Sequence, residues 1–68
     1  MSNEEKRING LMLSRKIDDC KTEDELEVVE DLIDEYMAAG AIFKYVYKFL
    51  KNEALDNQLN WLIERGII

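Results

Sequence analysis

The chain has 68 residues, 47% of them apolar, with nine basic and fifteen acidic side chains, one cysteine and no histidine or proline. This composition excludes a disordered acidic tail, an internal disulfide framework and any site built on imidazole. The net charge of −6 argues against a phosphate backbone as the main partner, and the apolar runs are too short to span a membrane.

A single domain over residues 1–68 is expected, near the lower size limit for one self-sufficient core. Chains this small are commonly stabilised by disulfides, a metal or a partner. The residue inventory disfavours the first two, which leaves a partner, either a second copy or a target protein. The opening MSNEEKRING lacks the layout of a secretion signal, and a lone Cys20 suits a reducing compartment, so a cytoplasmic location is expected.

Residues 3–20 read as a first helix. Ser2 or Asn3 can cap it, and Glu4 and Glu5 fall in the first turn, where carboxylates suit the helix dipole. Ile8, Leu11, Met12, Leu13, Ile17 and Cys20 recur at three- and four-residue spacing. Gly10 costs about 1 kcal/mol relative to alanine inside a helix, which points to close approach of a neighbour or to a break.

Residues 22–40 read as the second helix. Thr22 and Glu25 have the spacing of a capping box, in which each side chain bonds the other's backbone N–H. Leu26, Val29, Ile33, Tyr36 and Met37 form the apolar stripe, and Gly40 supplies the left-handed residue that ends a helix.

Residues 41–51, AIFKYVYKFLK, fit two periods. Alternation puts Phe43, Tyr45, Tyr47 and Phe49 on one side, as in a strand, whereas period 3.6 groups Ile42, Val46, Phe49 and Leu50. With no second strand in the chain, helix is expected, an intermolecular strand being the alternative. Residues 53–65 carry Leu55, Leu59, Leu62 and Ile63 at helical spacing, on a face nearly opposite that of 41–51 if one straight helix spans both. A break near Asn52 would return both faces to one core. The expected fold is all-α, a compact bundle of three to four short helices. Its expected core is Leu13, Ile17, Leu26, Val29, Ile33, Val46, Phe49, Leu50, Leu59 and Leu62.

Charge is the most uneven property of the chain. Residues 22–40 carry eight acidic and no basic side chains, a charge of −8, while the flanking segments each carry +1. Glu23/Glu27, Glu27/Asp31, Glu30/Asp34 and Asp31/Glu35 are like-charge i,i+4 pairs, each costing a few tenths of a kcal/mol. Stability alone does not favour that pattern. A solvated face is one reading. A docking surface for a basic protein, centred on Glu27, Asp31 and Asp34, is the sharper one. Eight charges along a helix rising about 1.5 Å per residue also approach the phosphate spacing of a DNA strand.

No catalytic residue, metal site or cofactor is expected. The chain lacks the calcium-loop ligand series and the Glu-x-x-His of carboxylate-bridged metal pairs. Cys20 has no imidazole to activate it and reads as a small core or interface residue. Trp61 falls off the Leu55/Leu59/Leu62 stripe, which makes it, together with Ile67 and Ile68, the expected apolar anchor for a partner.

These features suggest a non-enzymatic regulator or adaptor that binds another protein, with a homodimer as the expected assembly. Small acidic proteins of this kind are common as bacterial or phage inhibitors of nucleic-acid-handling enzymes. The alternative is a helical DNA-binding regulator using 41–51 and 53–65. Lys44, Lys48 and Lys51 lie among aromatics suited to stacking bases, and the ending LNWLIERGII resembles, over ten residues, the close of a winged-helix recognition helix. No wing follows it, and three lysines beside a −8 segment make nucleic acid the weaker expectation.

Overall fold

The computed structural model describes residues 2–66. Three helices, α1 (Asn3–Asp19), α2 (Glu23–Ala38) and α3 (Lys44–Glu64), form an all-α bundle with one core. Position numbers rise together along α1 and α3. Gly10 lies against Val46, Ser14 bonds Glu53, and Asn57 bonds the Ile17 carbonyl, so the two helices run parallel. Between them in sequence, α2 runs back antiparallel, its Asp34 meeting Lys51 near the start of α3. The molecule is a short rod of 43 × 16 × 16 Å.

The starts of α1 and α2 and the end of α2 have local causes. Ser2 caps α1, its hydroxyl accepting from the Glu5 N–H at 3.2 Å. Thr22 caps α2 the same way, accepting from the Glu25 N–H at 3.2 Å. The reciprocal half of the expected capping box is displaced by one residue. The Glu25 carboxylate accepts from the Lys21 N–H and the Thr22 hydroxyl rather than from the Thr22 N–H. At the other end of α2, Gly40 has φ +70, its N–H donates to Met37, and the Ala41 N–H donates to Tyr36 at 2.8 Å. That pair of bonds is a Schellman motif, and it satisfies carbonyls the helix would leave open.

The chain leaves that turn through Ala41 and Ile42, both buried, so α3 begins at Lys44 rather than at residue 41. Phe43 is its N-cap and makes no side-chain capping bond. From there α3 runs 21 residues without interruption, straight through Asn52. The expected break is absent. With it goes the reading of 41–51 and 53–65 as two helices, and 44–51 is helical rather than extended.

A continuous α3 changes which residues reach the core. Val46, Leu50, Ala54 and Trp61 lie on one side of it at four- and seven-residue spacing, and this is the side that faces α1 and α2. Trp61 is 8% exposed and belongs to the core, contrary to its expected place at an interface. Phe49 (61% exposed) and Leu59 (48%) point outward, and Leu62 is half-buried, so all three are corrections to the expected core. The expected Leu13, Ile17, Leu26, Val29, Ile33 and Leu50 are buried, with Val46 packed partly against them. Ala54, a residue of little hydrophobic weight, holds the middle of the α3 core face and is fully buried there.

On α1 the buried ridge is Gly10, Leu13, Ile17 and Cys20, leaving Ile8 and Leu11 exposed. A Cβ on Gly10 would stand 2.9 Å from Val46 Cγ1, inside any normal contact. Close approach to a neighbouring helix is thus the reason for this glycine. Polar bonds then fix the α1–α3 register. The Ser14 hydroxyl donates to the Glu53 carboxylate at 2.8 Å. The Asn57 amide donates to the Ile17 carbonyl at 2.9 Å, and the Arg65 guanidinium to the Lys21 carbonyl at 2.8 Å. The Ile17 carbonyl also accepts from the Cys20 N–H, and Lys21 lies just beyond α1, so these two bonds fasten the chain around the end of α1 to α3.

Candidate functional site

Two surfaces stand out, one charged and one apolar, on different helices. The charged one is the outer side of α2. Leu26, Val29 and Ile33 face the core, which turns Asp24, Glu27, Asp31 and Glu35 to solvent on the opposite side. Glu27, Asp31 and Glu35 form a single i,i+4 ridge along it. Among the described residues, Asp34 is the one α2 carboxylate with a cation within salt-bridge distance. Glu25 is taken up in the cap at Thr22, while Glu27, Asp31 and Glu35 are exposed.

Asp34 itself belongs to a small knot with α3. Lys51 Nζ lies 3.0 Å from Asp34 Oδ1, and the Tyr47 hydroxyl donates to the same oxygen at 2.8 Å. The Lys51 ammonium also sits over the Tyr47 ring, 5.5 Å from its centre. Bonds from Lys51 and then Tyr47 hold the Asp34 carboxyl below the usual carboxylate range. Donation to that carboxylate raises the Tyr47 hydroxyl pKa. Partial burial is the largest single influence on the Lys51 ammonium and works against its charge, but the bond to Asp34 and the charges of Asp34, Tyr47 and Glu30 together outweigh it and raise this pKa too. Of the expected acidic triad, Glu27 and Asp31 are therefore open, while Asp34 tethers α2 to α3.

That tether also bears on the basic residues of 41–51. Lys44 and Lys48 are exposed, but Lys51 is engaged with Asp34. Tyr47 is tied to the same carboxylate, and Phe43 stacks on Tyr45 with Lys6 over its ring, 5.2 Å from its centre. Two free lysines do not form a track for a phosphate backbone.

The apolar surface is the outer face of α3, which sequence reasoning missed as a surface. Tyr45, Phe49, Leu55, Leu59 and Ile63 all face outward there. A shallow groove between α1 and α3, lined by Leu11, Val46 and Phe49, continues the surface sideways. The sequence did contain the signal: the apolar positions of 53–65 are out of phase with those of 41–51. An uninterrupted helix turns that mismatch into a second apolar face. Of the expected apolar anchors, Trp61 is in the core, and Ile67 and Ile68 lie outside the described residues.

Cys20 is buried and its thiol donates to the Lys16 carbonyl at 3.1 Å. Burial, followed by the nearby Glu25 and Asp19 charges, pushes its pKa up, the opposite of what a nucleophilic thiol requires. Among the described residues, no group of three or more cysteine, aspartate or glutamate side chains is placed to hold a metal ion. No helix among them is long and apolar enough to cross a membrane. No protein family, curated protein or solved structure matches this chain.

Proposed function

We propose that this protein is a non-enzymatic regulator or adaptor that acts by binding another protein, and that its outer α2 face receives a basic surface of that partner. The observation that carries this reading is the Glu27/Asp31/Glu35 ridge. It is solvent-facing, and among the described residues no cation lies within salt-bridge distance of it. Each like-charge step along the ridge costs a few tenths of a kcal/mol in the free protein. A basic partner converts that cost into attraction and speeds encounter through electrostatic steering.

The test is reversal of Glu27, Asp31 and Glu35 to lysine, which leaves the Asp34–Lys51–Tyr47 knot in place. Proteins retained from extract at low salt are compared for the native and reversed chains, with helicity checked by circular dichroism. The proposal expects basic proteins on the native chain, released as salt rises, and none of them on the reversed chain. Equal retention by both chains reduces the α2 face to a solvated surface.

A further inference from the structure

We propose that a second copy of this chain covers the outer face of α3, the two helices lying antiparallel about a two-fold axis near residue 54. This goes beyond the reading above, since it uses a different helix and a different occupant.

The spacing of the exposed face carries the inference. Tyr45, Phe49, Asn52, Asp56, Leu59 and Ile63 follow one another at intervals of four, three, four, three and four. At about 100° per residue this stripe lies roughly 140° from the core face of α3, on its solvent side. A 4-3 repeat is the seam of a helix that pairs with another helix through knobs-into-holes packing. Inside its own bundle, α3 uses the other face.

The series reads the same from both ends, which points to a second copy and not a foreign helix. When α3 is laid antiparallel on itself, Tyr45 faces Ile63 of the other copy, and Phe49 faces its Leu59. Asn52 faces Asp56, twice by symmetry. Aromatic ends thus meet aliphatic ends, and an amide that can donate meets a carboxylate that can accept. A parallel pair would instead set Asp56 against Asp56 and align Asn52 with Asn52. Charge therefore selects the antiparallel order. Leu55, beside the seam, meets its own counterpart next to the axis, and the Leu11/Phe49 groove widens the apolar end that receives Leu59.

The area is adequate. Tyr45, Phe49, Leu55, Leu59 and Ile63 are each between 48% and 69% exposed. At roughly 200 Å² per large side chain, those fractions amount to about 600 Å² per copy and about 1,200 Å² per pair, at the lower end of specific interfaces. For so small a chain this cover also supplies apolar burial that its single core lacks.

Two measurements test the proposal. Sedimentation equilibrium of the native chain is expected to give twice the 8.0 kDa chain mass at tens of micromolar. Phe49→Glu and Leu59→Lys, both at exposed positions, should each weaken association by about tenfold or more. Mixing the two variants should restore a pair, because position 49 then faces position 59. Asn52→Cys and Asp56→Cys report the register. Under mild oxidation neither variant alone should crosslink, and the mixture should. A native chain that stays monomeric up to about millimolar concentration overturns the proposal. So does a dimer untouched by Leu59→Lys while circular dichroism shows the variant folded. Crosslinking of either cysteine variant with itself shows the parallel order and overturns it as well.

Discussion

Helices α2 and α3 solve the same problem in opposite ways. α2 contains its own instructions: a threonine cap, one apolar stripe, and a glycine that closes it through a Schellman turn. α3 has no side-chain cap at its start, carries large apolar residues on two faces, and contains an asparagine where a break would be natural. It exists as one helix because α1 and α2 hold it. Gly10 admits Val46, Ser14 holds Glu53, and Asn57 and Arg65 bond the backbone around the end of α1. A helix determined locally can be read from its own residues. A helix determined by its neighbours has to be read with them.

The largest effect expected from this contrast is on α3, where large apolar residues divide between core and surface. Trp61→Ala should cost about 3–5 kcal/mol, comparable with the whole stability of so small a domain. Phe49→Ala, tested in the Leu59→Lys background so that pairing of copies does not intervene, should cost less than about 1 kcal/mol. Urea unfolding followed by circular dichroism measures both. The reverse order would restore the phase expected from a broken helix.

Next is the close approach that fixes the two parallel helices. Gly10→Ala gains about 1 kcal/mol of helix propensity but drives a methyl into Val46 Cγ1, part of a stiff branched side chain. A net loss of up to about 2 kcal/mol is expected, since overpacking typically costs about 1–3 kcal/mol and the propensity gain offsets about 1 of it. Adding Val46→Ala should recover part of it. A Gly10→Ala variant more stable than the native chain would show that the contact yields easily.

A smaller change separates a continuous α3 from a broken one. In the Leu59→Lys background, Asn52→Ala should stabilise the chain by a few tenths of a kcal/mol, because alanine is the better residue inside a helix. Were Asn52 a cap, the same change would cost about 1 kcal/mol. The sign of the shift in thermal midpoint decides.

The smallest effect concerns the knot joining the two helices. The folded Asp34 carboxyl titrates below its ordinary value. Its contribution is therefore complete above the unfolded pKa of about 4 and is lost as pH falls through the folded one. The difference in urea midpoint between the native chain and Asp34→Asn should be constant above about pH 5 and shrink as pH falls below about 4. A difference unchanged across that range would mean that Asp34 acts through something other than its charge.

Much of the candidate site was legible before the fold. The like-charge ridge of α2 follows from composition and spacing, and the structure turns it to solvent because Leu26, Val29 and Ile33 take the other side. Asp34 was grouped with Glu27 and Asp31 because all three share a face. Its capture by Lys51 and Tyr47 depends on where α3 passes, which spacing within α2 does not contain. The place of Trp61 turns on a related fact: a break at Asn52 would bury Leu59 and Leu62 and put tryptophan outside, whereas the unbroken helix puts tryptophan in the core.

The chain's own residues determined the existence of α1 and α2, the cap at Thr22, the turn at Gly40 and the concentration of negative charge. These are local effects, set by backbone geometry, nearest-turn hydrogen bonds and i,i+4 neighbours. Tertiary structure alone decided which of the two apolar faces of 44–64 becomes interior. Either face is hydrophobic enough to bury, and the choice falls to the one that fits Val46 against Gly10 and sets the Asn57 amide on the Ile17 carbonyl.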